Sequence, residues 1–268
     1  PSVIYKFFFY RTKIIYVNHT PNLDLTWRSK FVTFFDIFID KYVLLNNDTY
    51  AFFKKKFKIN KNKLLIIQNC INIKFFSKKK KIKTNFFKIG MACRLDAKQK
   101  RYDLILKALL SKKLKNLNIK FSLAGSGEDL ENFRKKVDEN NLSKKIVLEG
   151  YLNHVKLRRW YSSLDLYIHA SSYEGMSISI LQAMSMKLPI IGSKVAGIKN
   201  LLEKKKYIGK TFKNTTNDIS KNIKYFYFMS KGLKNKYIKT QYDYVTSRNS
   251  SQVVFKKYKE LISKLSDW

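Results

Sequence analysis

The sequence predicts a doubly wound α/β protein whose parallel sheets are covered by helices, present once in full and once in part. Three observations lead there. Short β-branched runs alternate with segments of helical period, glycines follow two of the runs in the second half, and no internal repeat breaks the alternation.

Lys13 to Val17 (KIIYV) leads into His19-Thr20-Pro21 and reads as a buried strand feeding a loop. From about Leu25 to Ile39, Trp27, Phe31, Phe34, Phe35 and Phe38 lie near helical spacing. Tyr42 to Leu45 reads as a strand, Thr49 to Phe57 as a basic helix, and Leu64 to Ile67 as a third strand closed by Asn69. Lys78 to Lys83 (KKKKIK) has no core-forming pattern and reads as a linker or as a solvated loop within one domain.

The alternation then restarts. Strands are expected at Phe87 to Met91, Ile119 to Leu123, Lys145 to Leu148, Leu166 to His169 and Leu188 to Ile191. Helices are expected at Tyr102 to Leu114, Asp129 to Asn140, around Val155 to Ser162, at Ile178 to Met186 and from Gly197 to Leu202. From Asn217 onward the chain reads as all-helical and ends in the amphipathic FKKYKELISKL. The domain division expected is 1–75, a linker at 76–86, a complete domain at 87–250, and a terminal helix at 251–268 that packs back on the first domain.

Composition bounds the function. Apolar residues make up 45% of 268, enough for a packed core and too many for a disordered chain. Lys and Arg total 55 against 19 acidic residues, a net charge of +36, which points toward nucleic acid or an anionic membrane. The lysines are spread along the chain with a surplus of Asn, Ile, Phe and Tyr, which is a pattern of compositional bias. No motif sets aromatics on a basic face, so no nucleic-acid partner is expected. Cys70 and Cys93 lack metal-ligand spacing and fit a reducing cytoplasm. No uncharged apolar run reaches the ~18 residues of a membrane span. Residue 1 is Pro and no signal-peptide pattern follows, so the chain is expected to be a fragment.

In open parallel sheets, ligands bind beyond the carboxyl ends of the strands. Four segments of the second half fall there. The first holds Arg94, Lys98, Lys100 and Arg101, cations that could hold a diphosphate or simply form a solvated face. The second is Gly125-Ser126-Gly127 and the third Gly150-Tyr151-Leu152; each allows close backbone approach and each could be a plain turn. The fourth, HASSYEGMS, runs from His169 through Glu174, Gly175, Met176 and Ser177 to a helix N-terminus, a natural anion site. Glu174 would oppose an anion there, so it either accepts hydrogen bonds from sugar hydroxyls or caps the helix. Gln182 lies about two turns further on. His154 and His169 read as structural. No Asp-x-Asp pair is present to hold a metal, so none is expected.

Residues 89–203 resemble the retaining GT-B glycosyltransferases of family 4. The resemblance lies in ACRLDAKQKRYDLILKAL, FSLAGSGEDL, IVLEGYLNHVKLRRWYSSLDLYIHASSYEGMSISILQAMSMKLPII and VAGIKNLLE, in that order and spacing. KIIYVNHT and LLIIQNCINIKFF are similar to the closing half of the family's N-terminal domain. The resemblance implies two Rossmann-like domains, the N-terminal one incomplete and the C-terminal one complete. It implies that Arg94 and Lys100 bind the donor diphosphate, that Glu174 is the first Glu of the E-x7-E motif on the donor sugar, and that Gly175, Met176 and Ser177 present backbone amides. Gln182 would meet the ribose, His19 would lie over the donor sugar, and Gly125 and Gly127 would flank the nucleotide with Gly150 and Tyr151.

The activity implied is transfer of a hexosyl or N-acetylhexosaminyl unit with retention, from a UDP- or GDP-linked donor to a glycan or lipid-linked acceptor. It would serve polysaccharide or glycoconjugate synthesis at the inner face of the cytoplasmic membrane, without a cofactor. A truncated remnant that binds nucleotide without turnover is the alternative. The departures are Gln182 for Glu, Lys187 for Gly, Cys93 for Gly or Ala, and an absent N-terminal portion with a glycine-rich loop and much of the acceptor site.

Overall fold

The structure is a computed structural model that describes residues 12–19, 32–77, 82 and 84–266. It contains two parallel sheets. The first is three-stranded, in the order β1 (Ile15–Asn18), β2 (Lys41–Leu44), β3 (Leu64–Ile66). Its strands are in parallel register, with Tyr16 opposite Tyr42 and Tyr42 opposite Leu64. Between β2 and β3 runs α1 (Asn47–Lys56), which begins where the Asn46 side chain accepts the Thr49 N–H. A cap of this kind stabilises by about 1 kcal/mol.

The second sheet is six-stranded. Its strands are β4 (Phe87–Ala92), β5 (Ile119–Ala124), β6 (Ile146–Gly150), β7 (Leu166–His169), β8 (Ile190–Ser193) and β9 (Lys210–Phe212). The spatial order is β6-β5-β4-β7-β8-β9, parallel throughout. Every residue of β7 and β8 is buried, as expected of strands covered on both faces. The helices are α2 (Tyr102–Leu109), α3 (Leu130–Glu139), α4 (His154–Ser163), α5 (Ile178–Ser185), α6 (Ala196–Leu202), α7 (Thr216–Tyr227), α8 (Lys231–Asn249) and α9 (Ser251–Ser266). One core joins Ile89, Phe121 and Ile168 to α2, α3 and α7. The other joins Tyr167 and Ile190 to α4, α5, α6 and α8.

The chain passes between the sheets twice, side by side. Ile71 N–H donates to Asn249 O at 2.8 Å, and Ser251 N–H donates back to Ile71 O at 3.1 Å. Beyond this crossing, Val254 and Leu261 of α9 pack with Val43 and Ile67 of the three-stranded sheet. Phe76 is buried against Tyr161 and α5, and its carbonyl accepts the Ser185 hydroxyl at 2.6 Å. Most of the basic run at 78–83 lies outside the described residues.

Three sequence expectations need correction. The helical segment expected from Leu25 lies outside the described residues until 32; the described part is helical through 34 and then tightens into a 3-10 turn at Asp36–Phe38. The helix from Tyr102 stops at Leu109 rather than Leu114. There Ser111 turns its hydroxyl onto Ala108 O at 2.6 Å, while Leu114 stays buried from a turn and prolongs the apolar period. Strand β8 starts at Ile190 because Leu188 N–H closes the end of α5 on Ala183 O. The edge strand β9 is an addition. Among the described residues no helix is long and apolar enough to cross a membrane.

Candidate functional site

Within the six-stranded sheet, β4 comes first in sequence, and the chain order reverses between β4 and β7. Such a switch point leaves a crevice at the carboxyl ends of the two strands. Two loops wall it here, 93–101 after β4 and 170–177 after β7. They are stitched together: Ser172 N–H donates to Gln99 O at 2.8 Å, Arg101 N–H to Ala170 O at 3.2 Å, and Gln99 Nε2 to Tyr173 O at 3.2 Å.

Lys100, Glu174 and His169 meet in this crevice. Lys100 Nζ pairs with Glu174 Oε2, and both side chains are largely shielded from water. His169 Nε2 lies 3.1 Å from the same carboxylate oxygen, and Nδ1 lies 3.3 Å from Tyr167 Oη. Burial alone would raise the Glu174 pKa. The hydrogen bonds and charges around it outweigh that and hold it at about 2. Burial lowers His169 below its usual value, so at neutral pH the imidazole is uncharged. An ionised carboxylate only accepts, which assigns the proton to Nε2 and leaves Nδ1 as an acceptor facing the Tyr167 hydroxyl, which also meets Ala92 O at 3.2 Å. The positive charge beside Glu174 is therefore that of Lys100.

The segment after Glu174 enters α5 through Ser177, whose Oγ accepts Ile180 N–H at 3.4 Å. Ser177 is the N-cap, which removes the reading of Glu174 as a helix cap. The loop backbone is pressed against α6 at Gly197. A Cβ there would lie 2.1 Å from Gly175 O and 2.3 Å from Glu174 O, distances no side chain tolerates. On the other wall, Gly125 has φ 137°, and its missing side chain makes room for Cys93 O. Leu95 N–H donates to Ser126 O at 2.9 Å and Asp129 accepts Ala97 N–H at 2.6 Å, so the Gly125–Gly127 turn supports the loop that carries Arg94.

The remaining expected residues are spread around this cluster. The Arg94 side chain is 70% exposed and touches Asp96 at 3.2 Å. Gln182 is buried on α5 and its Oε1 accepts the Tyr161 hydroxyl at 3.1 Å. Gly150 ends β6, where its carbonyl accepts Gly125 N–H at 2.8 Å, and Tyr151 is exposed beside it. His19 is exposed just after β1. His169, read from sequence as structural, joins the cluster; its place at the last position of an apolar strand, five residues before Glu174, was the available signal. His154 stays apart from Glu174, beside Phe75 and Phe76.

Two amides from the other sheet reach the same loop. Asn46 Nδ2, after β2, donates to Gly175 O at 3.0 Å. Asn69 Nδ2, after β3, donates to Met176 O at 3.0 Å.

Comparison with known proteins gives the family and the fold. The family described as glycosyl transferases group 1 matches residues 72–243. The phosphatidylinositol N-acetylglucosaminyltransferase GPI3 subunit of Saccharomyces cerevisiae is 25% identical over 188 residues, which is 68% of this chain and 41% of that protein. The chain thus spans about two fifths of the curated relatives it first matches. Among solved structures, Anabaena Alr3699/HepE in complex with UDP superposes with a TM-score of 0.83 at 15% identity, covering 98% of this chain and 75% of that one. The pneumococcal O-GlcNAc transferase GtfA in complex with UDP and GlcNAc superposes with a TM-score of 0.79 at 17% identity, covering 97% and 54%. The shared fold is the GT-B arrangement.

Proposed function

The chain belongs to the glycosyl transferases group 1 family, and from that premise we propose that it carries the donor site of a retaining, family 4 glycosyltransferase that uses a nucleotide-diphosphate sugar. The observation that carries the reading is the ionised Glu174, held by Lys100 and His169 in the crevice between β4 and β7, at the entrance to α5. In this reading the carboxylate would accept sugar hydroxyls. Lys100 and the more exposed Arg94 are the cations for the diphosphate, and the Gly175–Ser177 backbone supplies amides at a helix end. Gln182 would contact the ribose, and His19 the donor sugar from the three-stranded sheet.

In the proposed reaction the bond from the anomeric carbon to the donor phosphate oxygen breaks and a bond to the acceptor oxygen forms on the same face. The acceptor's hydroxyl proton leaves with the departing phosphate. Charge develops on the leaving nucleotide, where fixed cations and backbone N–H groups stabilise it most. The curated relative and the GtfA structure favour an N-acetylglucosamine donor linked to UDP. A glycan or lipid-linked acceptor completes the proposal.

The proposed site of action is the cytoplasmic face of a membrane. The outer face of α9 supports this: Phe255 (71% exposed) and Ile262 (53%) lie beside exposed Lys256 and Lys259. Sedimentation with phosphatidylglycerol vesicles, but not phosphatidylcholine vesicles, is the expected behaviour; equal recovery with both would refute it.

UDP release from UDP-N-acetylglucosamine and UDP-glucose, measured with and without a lipid-linked acceptor, tests the transfer. Turnover that Glu174→Gln reduces at least tenfold supports the proposal. Nucleotide binding without turnover identifies a binding remnant instead.

A further inference from the structure

The loop that bears Glu174 is oriented from the opposite sheet as well as from its own. Asn46 and Asn69 lie 129 and 107 residues from their partners, yet their amides fall on consecutive carbonyls, Gly175 O and Met176 O, both at 3.0 Å. A trans peptide is planar, and its C=O and the following N–H point in opposite directions. Fixing Gly175 O therefore aims the Met176 N–H away from Asn46. Fixing Met176 O likewise aims the Ser177 N–H away from Asn69. Neither N–H donates to another backbone group of the described loops.

Both asparagines are themselves held. The Asn46 side chain is buried, and its Oδ1 accepts from Thr49 N–H at 2.9 Å and Thr49 Oγ1 at 3.0 Å. With the oxygen thus engaged, the amide flip is settled and Nδ2 faces Gly175. Asn69 is anchored through its backbone carbonyl, which accepts Asn249 Nδ2 at 2.9 Å at the crossing between the sheets.

We propose that Asn46 and Asn69 are positioning residues of the donor site: they orient two consecutive peptides so that the Met176 and Ser177 N–H groups face an anionic group of the donor. The first part, orientation of the loop, stands on the unliganded protein. The second rests on the donor-site reading given above.

The test uses the full chain and the variants Asn46→Ser, Asn69→Ser and Thr49→Val. Serine keeps an N-cap oxygen for α1 but is too short to reach Gly175 O. Thr49→Val removes a partner of Asn46 Oδ1 and leaves the amide contact in place. Amide hydrogen exchange across residues 175–178 is expected to rise at least tenfold in both serine variants and to stay within threefold of wild type in Thr49→Val. Calorimetric titration with UDP is expected to show at least fivefold weaker binding in the serine variants only.

Unchanged exchange at 175–178 in both serine variants would overturn the positioning role. Faster exchange with unaltered UDP affinity would overturn its link to the donor. Faster exchange in a protein whose wild type binds neither UDP nor GDP would uphold the positioning and refute the donor-site reading.

Discussion

Lys100 and Glu174, seventy-four residues apart in sequence, close an ion pair across the crevice between the loops that follow β4 and β7. Both side chains are more than four-fifths shielded from solvent. At such depth the mutual attraction is largely offset by desolvation, but removing one partner leaves the other charge uncompensated. Lys100→Met should therefore cost on the order of 2–4 kcal/mol in urea unfolding. Lys100→Met combined with Glu174→Gln should recover part of that loss. A double variant less stable than the single one would contradict the pairing.

Acid stability should fall in two windows. His169 has a folded pKa below its usual 6.5, so the unfolded chain binds its proton more readily and stability drops as pH falls from 6.5. Glu174 has a folded pKa of about 2 against a usual 4.5. Its stabilisation is complete above 4.5 and disappears as pH falls toward 2. Urea midpoints between pH 7.5 and 3 should show His169→Gln without the upper decline and Glu174→Gln without its share of the lower one. Curves parallel to wild type throughout would refute the assignment.

Gly197→Ala should destabilise by about 2 kcal/mol or more, because the new methyl meets backbone rather than a movable side chain. Gly232→Ala in α8 is the control. Its Cβ enters open space, and helix propensity predicts a gain of up to about 1 kcal/mol. Thermal unfolding of the two variants distinguishes a backbone contact from a general cost of replacing glycine.

Cys93 should resist alkylation while Cys70 reacts. Burial pushes the Cys93 thiol up to about 12, whereas Cys70 is exposed. Iodoacetamide at pH 8 should add one group to the folded chain and none to Cys70→Ser. Modification of Cys93 at the rate of Cys70 would contradict its environment. Cys93 is half-buried and packs against the core of the six-stranded sheet.

The strands and helix entry that frame the candidate site were legible where chemistry and local pattern coincide. β4, β5 and β7 are apolar runs, and the helix entry at Ser177 and the carboxylate at Glu174 follow from a single segment. Residues whose partners lie far along the chain left no local trace. Asn46 and Asn69 look like ordinary turn residues until the second sheet is placed beside the first. His169 opens the segment HASSYEGMS, but at the end of the buried strand LYIH it reads as a core residue. Its role depends on Tyr167 and Glu174 flanking the imidazole. Strand β9 was missed because KTF is three residues long with one buried side chain. Lys187, where the sequence resemblance leads to an expectation of Gly, keeps a backbone φ of 56° and sets its ammonium 4.5 Å from the Tyr242 ring. The family resemblance marked that position, and only the structure gives its contact.

The most direct test is calorimetric titration of the full chain with UDP and with GDP, repeated on Lys100→Ala and on Gly232→Ala. The account predicts saturable binding of one nucleotide per chain for at least one of the two, weakened at least tenfold by Lys100→Ala and unchanged by Gly232→Ala. Absence of binding by both nucleotides, or equal binding in Lys100→Ala, would contradict a donor site in the crevice between β4 and β7.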